Sequence, residues 1–544
     1  MNSVEKTVKI SRESLLLMFL FVALTLLLRL LFLGAKPLWL DEAKMVMLAA
    51  QSPATIFFGA AGDIHPPAGY LFLHFWQQLF GDSEFAVRLP SALFVSFTLI
   101  PLFLAGRRIL GEKPLLWLGI MFALSPFTLY LGQEIRTYAY AGFFCAWLFY
   151  FTVLIMEGYG WRGYLGFGLS SLGALHSHHL TGTLVGGLAI FLILYEFVNR
   201  KKRWWWVTPL VALGLTFAIY LPQMLSTIAQ IRLFAGEVSE IQEGGSTLPN
   251  ITKCMAGALF HMGAGFYFTS VDAYTLPRIL AQPLKAIFFM ISVLLPVVVL
   301  FFGILAWKKL EKRYCWLLAV AFIIPWFIAG YFLGSSRHFI PMLPAYMLLI
   351  SLGMHRLFRR NWGKVIVGAM LLFNLYIDVD YYSRPIMPTP HRYARNYREV
   401  GTFLRHHAKP GDLVYLHLDH YSVLNARYYL GDFPMEVDSY YRDYHYEHII
   451  HNQALDYINK VDLWGKIDGA HAAGRDVWLV ANDPRSAYDQ PLITKTEDLN
   501  LGIDSDKACD IRLFELDKRY PQARIADSAG DILKVIYIPR AGGR

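Results

Sequence analysis

The stretch SLLLMFLFVALTLLLRLLFLGAKPLWLDEAK, residues 14–44, decides how this chain reads. Its first part, Ser14 to Leu33, is an apolar run of about the 20 residues that a helix needs to cross a bilayer. Its second part, Pro37-Leu38-Trp39-Leu40-Asp41-Glu42-Ala43-Lys44, places two adjacent carboxylates and an ammonium at the mouth of that helix. Charges in that position are costly to leave unsolvated, so they face water, a partner or a substrate. Lys6, Lys9 and Arg12 precede the run, as they would in a signal peptide. The apolar core is longer than a signal core of about 7–15 residues and no small-x-small cleavage site follows, so it is expected to stay as the first membrane helix.

The composition agrees with that first segment. Of 544 residues 55% are hydrophobic and 17% charged, against about 25% charged in a soluble protein. A polytopic membrane protein is the reading. The net charge of +9 comes from short basic runs between apolar segments; no basic, aromatic-interleaved face is present, and no nucleic-acid partner is expected. Four scattered cysteines exclude a metal knuckle or disulfide framework. Cys254 and Cys509 fall on one side of the membrane in the topology below, which would permit one bridge.

Further apolar segments lie near 84–106, 114–132, 135–156, 163–178, 180–198, 205–225, 281–305, 315–333, 338–357 and 363–379, giving about eleven transmembrane helices. With the N-terminus inside, the runs Arg107-Arg108-Lys113, Arg200 to Arg203, Lys308 to Arg313 and Arg356 to Lys364 all fall on the cytoplasmic side, as the positive-inside rule requires. Outside lie the loop 35–83, the segment Gly132 to Arg136, the loop 227–280 and the chain after 380. From Tyr381 charge becomes frequent. Leu413 to Leu416, Val477 to Val480 and Val535 to Ile538 read as strands, with helices at Tyr397 to His406 and Ser422 to Leu430. The expected fold is therefore a polytopic α-helical membrane domain, residues 1–380, with an extracytoplasmic α/β domain, residues 381–544. The protein is placed in the cytoplasmic (inner) membrane.

In the first outer loop, Glu42 to Gln51 and the proline-started Ala68 to Phe80 read as two short helices forming a surface platform. Asp41 stands where an N-cap would, with Glu42 favouring the helix dipole; capping and catalysis are compatible roles. Lys44 can pair with Asp41 or with a substrate phosphate. His65, before Pro66-Pro67, is a packing residue or a polar substrate contact. Glu84 and Arg88 stand four apart, a spacing that favours a salt bridge at the helix start. Gln133 and Arg136 share a helical face, and with Glu134 and Tyr138 they sit at the outer mouth of two helices, where charged groups require partners. Arg337 and His338 open a later helix on the same side; guanidinium donors form a fork suited to phosphate oxygens. His176, His178 and His179 lack a nearby carboxylate to complete a metal set, since 178 and 179 point to different helix faces.

Six pieces, in order, carry a family resemblance: Pro-Leu-Trp-Leu-Asp-Glu-Ala (37–43), His-Pro-Pro (65–67), Ser-Glu-Phe-Ala-Val-Arg-Leu-Pro-Ser (83–91), Ser-Pro-Phe (125–127), Gln-Glu-Ile-Arg-Thr-Tyr (133–138) and Arg-His-Phe-Ile-Pro-Met-Leu-Pro-Ala (337–345). The chain resembles the GT-C membrane glycosyltransferases of the protein O-mannosyltransferase and lipid A aminoarabinose transferase type. Lys44 and His65 stand where the latter favour Arg and Lys. The resemblance implies transfer of a sugar from a polyprenyl-phosphate carrier to a glycan, lipid or protein acceptor on the non-cytoplasmic side, with inversion. It makes Asp41 the expected base. Lys44, Arg136 and Arg337 would hold the phosphate, and Glu42, His65 and Gln133 would orient sugar or acceptor, with Arg88, Glu134, Tyr138 and His338 beside them. No cofactor is expected, and nothing indicates a divalent metal. The rival reading is a transporter or flippase of lipid-linked sugars, which would show ionisable groups at mid-membrane and broken helices.

Overall fold

In the computed structural model, residues 11–57, 65–199, 208, 211–225, 228, 262, 283–332, 336–385, 396–418, 420–430, 436–439, 462–482, 519–529 and 533–540 are described. Backbone contacts divide the chain into two compact units. One comprises Met1–Gly34, Ile64–Ile228 and Ile241–Arg384; the other comprises Ala35–Asp63, Ala229–Glu240 and Pro385–Arg544. The segment carrying Asp41 is thus grouped with the C-terminal domain and not with the helices that flank it in sequence.

The helical unit begins with α1 (Arg12–Leu30), capped by the Ser11 hydroxyl, which accepts from the Ser14 amide at 3.1 Å. Its further helices are α4 (Ala68–Phe80), α5 (Glu84–Leu110), α6 (Leu115–Ala123), α7 (Pro126–Gln133), α8 (Tyr138–Met156), α9 (Trp161–Ser177) and α10 (Gly182–Asn199). After these come α11 (Val211–Leu225), α12 (Pro283–Trp307), α13 (Lys312–Phe332), α14 (Leu343–Leu357) and α15 (Asn361–Ser383). The labels α2 and α3 belong to the other unit. Where the apolar segments read from the sequence are described, they are mainly helical. Among the described residues, seven helices are long and apolar enough to cross a membrane, or eight if one bent pair is a single span. The chain is a multi-pass membrane protein.

The bent pair is a departure from expectation, since 114–132 reads as one continuous span. Instead α6 and α7 meet at 53°. Pro126 has no amide hydrogen and bars its predecessor from helical geometry. Ser125 is accordingly extended, and its hydroxyl faces the Thr128 amide at 3.5 Å as the cap of a new helix. Gln133 and Arg136 are also not on one helical face: α7 ends at Gln133, Glu134 is extended, and α8 starts only at Tyr138.

Small residues set the closest helix crossing. A Cβ on Gly303 of α12 would lie 2.1 Å from the Leu349 carbonyl oxygen, and one on Gly353 of α14 would lie 2.0 Å from that of Val299. No larger side chain fits at either position, which is how helices approach closely where lipid supplies no hydrophobic drive. At the end of the bundle that carries the basic runs, Arg108 pairs with Glu157 and donates to the Tyr159 hydroxyl at 3.1 Å, while the Tyr314 hydroxyl donates to Glu157 at 2.8 Å. One half-buried carboxylate therefore ties α5, α8 and α13 together. Glu157→Ala is expected to cost about 1–3 kcal/mol, measured as a fall in thermal stability of the detergent-solubilised protein; an unchanged melting temperature would reduce the clamp to a surface pair.

The second unit contains α2 (Leu40–Ala49), α3 (Pro53–Phe57), α16 (Tyr397–His407), β1 (Leu413–His417), α17 (His420–Leu430), β2 (Glu436–Ser439), α18 (Leu463–Ala472), β3 (Val477–Asn482), β4 (Arg524–Ala529) and β5 (Leu533–Ile538). The five strands run in the order β2-β1-β3-β5-β4. Strands β2, β1 and β3 are parallel, with Leu413 opposite both Glu436 and Val477; β5 is antiparallel to β3, with Val477 opposite Ile538. The interior strand β1 is buried along its whole length, as a parallel strand covered on both faces must be. This is the α/β domain read from the sequence, with β2, β4 and α18 added to the elements legible there.

Candidate active site

Three polar constellations stand out, two in the helical unit and one in the other. In the helical unit the first is a collar around the C-terminal end of α1. A helix ends with four carbonyl groups lacking internal partners, and in lipid these require protein donors. Three other helices supply them. The Tyr382 hydroxyl of α15 donates to the Leu28 carbonyl, the Gln133 amide donates to those of Arg29 and Leu31 at 3.0 and 2.7 Å, and Arg88 of α5 donates to that of Leu33 at 3.0 Å. Phe32, between these points, has φ 55°, a left-handed conformation that a non-glycine residue holds only where its surroundings fix it.

Arg29 also reaches the kink. Its guanidinium, wholly buried, donates to the carbonyls of Ala123 and Phe122 at 2.5 and 3.0 Å and to the Thr128 hydroxyl at 2.5 Å. The carbonyls released where α6 breaks at Pro126 are thus taken by a side chain from α1. Asp378 of α15, itself buried, lies within electrostatic reach of it. Neither residue stands out in the sequence reading. The signal was available, because Arg29 is the lone charge inside an apolar run and Asp378 is an acid within a membrane helix.

A second cluster in the same unit gathers several expected site residues. Tyr138 at the start of α8 lies with its ring 5.1 Å from that of His178, and the half-buried His65 ring meets His178 edge-on at 5.3 Å. The Arg136 guanidinium lies 5.6 Å from the centre of the Tyr138 ring. Glu134 is buried and accepts from the Tyr130 hydroxyl at 3.1 Å. His65, Arg136, Tyr138 and, unexpectedly, His178 are therefore neighbours. Gln133 and Arg88 spend the donors described above on the α1 collar. Arg337 and His338 lie in a 3-10 segment, Ser336–Met342; their side chains, like Cys254 and Cys509, lie outside the described residues. Among the described residues no group of three His, Cys, Asp or Glu side chains could hold a metal ion. His176 and His179 are instead bonded to the Leu172 carbonyl and the Tyr220 hydroxyl.

In the second unit the acidic pair is divided. The expected N-cap, Asp41, is the second residue of α2; the N-cap position belongs to Trp39, whose indole has no acceptor to offer. Glu42 takes over. Wholly buried at the third helical position, it turns back and accepts from the Trp39 amide at 3.2 Å, the reciprocal half of a capping box. Asp41 remains half-buried on the first turn, with Lys44 half-buried three residues on, a spacing that brings both to one helix face.

Upstream of α2 the backbone is held by the C-terminal domain. Arg398 on α16 donates to the carbonyls of Ala35 and Lys36 at 2.7 and 2.9 Å, and the Tyr429 hydroxyl on α17 accepts from the Leu38 amide at 2.6 Å. Helix α2 packs along α17. Helices α16 and α17 approach closely at Gly401, where a Cβ would stand 3.1 Å from the Tyr429 carbonyl oxygen. These contacts join residues far apart in sequence and leave no local signature.

A family model described as dolichyl-phosphate-mannose-protein mannosyltransferase matches residues 64–225. Among solved structures, ArnT from Cupriavidus metallidurans in its apo state is similar over 97% of this chain and 99% of its own, at a TM-score of 0.55 and 12% identity. The same protein bound to undecaprenyl phosphate gives 0.53 over the same shares at 12% identity. The archaeal oligosaccharyltransferase AglB from Archaeoglobus fulgidus, in complex with an inhibitory peptide and a dolichol-phosphate, gives 0.50 at 10% identity, covering 87% of this chain and 69% of that one. No curated protein matches the chain by sequence. Identities this low speak for the fold alone, which this chain shares with those membrane proteins.

Proposed function

We propose that this chain of GT-C fold is a membrane glycosyltransferase that moves a sugar from a polyprenyl-phosphate donor to an acceptor hydroxyl on the outer (periplasmic) face of the inner membrane, inverting the anomeric centre. The observation that carries the reading is the division of the acidic pair. Glu42 is wholly buried and caps α2, whereas Asp41 is half-buried on the first turn of the same helix.

The chemistry asks for little else. The acceptor oxygen attacks the anomeric carbon as its proton passes to the Asp41 carboxylate; the bond from that carbon to the phosphate oxygen breaks, and polyprenyl phosphate departs with the electron pair. A single displacement of this kind inverts the centre. Cations stabilise the charge that develops on the leaving phosphate. Lys44, Arg136 and Arg337 are assigned that role, and His65 a polar contact to sugar or acceptor.

The test is incubation of the purified protein with candidate polyprenyl-phosphate sugars, followed by mass analysis of products and of anomeric configuration. Formation of a glycosylated acceptor and free polyprenyl phosphate is the expected result; retention of configuration would remove the single-displacement scheme. Arg136→Ala is expected to raise the donor KM by about tenfold, on the order of one charge-assisted hydrogen bond, with turnover at saturation falling less. Unchanged donor saturation would leave Arg136 a structural partner of Tyr138.

The transporter reading gains two observations, the broken α6–α7 pair and the buried Arg29 and Asp378. Their placement argues against it. Arg29 occupies the last turn of α1 and Asp378 lies five residues from the end of α15, near helix ends and not at mid-span, and Arg29 is spent on backbone carbonyls. Movement of lipid-linked sugar across vesicles without covalent transfer would restore the transporter.

A further inference from the structure

The geometry points to Arg398 and Tyr429 of the C-terminal domain as positioning residues for Asp41. The inference rests on Asp41 being the base proposed above and adds what holds it in place.

The grip has three points on four consecutive residues. The two terminal nitrogens of Arg398 donate to successive carbonyls, Ala35 at 2.7 Å and Lys36 at 2.9 Å, which fixes both the position and the orientation of that peptide. The Tyr429 hydroxyl receives the Leu38 amide at 2.6 Å. Between these anchors stands Pro37, whose ring locks its own φ. Helix α2 starts at Leu40, and its first turn is closed by Glu42 on the Trp39 amide. The soft dihedrals left between the Leu38 anchor and Asp41 are therefore few. Burial agrees: Lys36, Leu38 and Trp39 are 2%, 0% and 3% exposed, so the segment is packed along its length.

A catalytic group has to stand within about 0.5 Å of its productive position, and a misplacement of about 1 Å can cost ~10²-fold in rate. Loosening the peptide at 35–38 should thus reach Asp41 without touching it. The domain that supplies the grip is the C-terminal one, which gives residues 396–430 a role in turnover whatever acceptor the rest of the domain recognises.

The experiment compares Asp41→Asn, Arg398→Ala, Arg398→Lys, Tyr429→Phe and the double variant Asp41→Asn/Arg398→Ala in the full-length purified enzyme with a labelled polyprenyl-phosphate sugar. Arg398→Ala is expected to lower kcat by about 10–100-fold while the donor KM changes by less than about threefold. Arg398→Lys, still able to donate to one carbonyl, should recover part of the loss. Tyr429→Phe removes a single oxygen and is expected to lower kcat by about tenfold, the equivalent of one hydrogen bond; it keeps the test alive should Arg398→Ala fail to fold. The double variant should be no slower than Asp41→Asn alone, as for residues acting through one group.

Full kcat in both Arg398→Ala and Tyr429→Phe, or losses confined to KM, would overturn the inference while an inactive Asp41→Asn left the base assignment standing. Additive losses in the double variant would also overturn it, by showing that Arg398 acts elsewhere. An active Asp41→Asn would instead sink the base assignment itself.

Discussion

Asp41→Asn is expected to lower sugar transfer by about 10²–10⁴-fold, the usual contribution of a positioned general base. The substitution is nearly isosteric, and Asp41 is not the N-cap of α2, so the helix should form and the protein should insert at its normal level. The proton of the acceptor hydroxyl then has no carboxylate to receive it. Donor binding, measured separately by retention of labelled lipid, should change little. Glu42→Gln is the informative contrast. Its amide oxygen can still accept from the Trp39 amide, so this variant should keep the helix start and lose far less activity. Equal losses at both positions would mean that the pair acts as one charge; near-full turnover of Asp41→Asn would leave it a surface acid.

Arg29→Met should produce the largest loss of stability. The guanidinium is wholly buried and donates to two carbonyls and a hydroxyl. Methionine fills much of the volume and satisfies none of them. A buried acceptor left without its donor costs about 1–3 kcal/mol, and Arg29 serves more than one. Thermal unfolding in detergent measures the loss. If Arg29→Met were as stable as the parent, the kink between α6 and α7 would be held by Ser125 and Pro126 alone.

Hydropathy made the helical body legible because each lipid-spanning segment has to be apolar and about 20 residues long; the described residues of the expected segments are mainly helical, 114–132 as two helices. Strands β1, β3 and β5 were equally plain, being short β-branched or apolar runs. Strand β2, Glu436–Ser439, carries two acids and a serine in four residues and has no apolar signature. Expectation failed where a long-range partner replaced a local one. Asp is a favoured N-cap, yet Trp39 holds that position and Glu42 performs the capping. Gln133 and Arg136 have helical spacing, yet Gln133 is drawn to the carbonyls of α1 and the helix ends there.

The contact between Leu38 and Tyr429 spans 391 residues, and that separation has a consequence during synthesis. A ribosome adds about 5–20 residues per second, so roughly 20–80 s pass between the emergence of the first outer loop and that of the residues that clasp it. Throughout that interval the helical segments can insert one after another while the loop bearing Asp41 waits without its anchor. The segment bearing Asp41 is therefore held only after Tyr429 has emerged, and a chain stopped before that point carries the described membrane helices without this anchor.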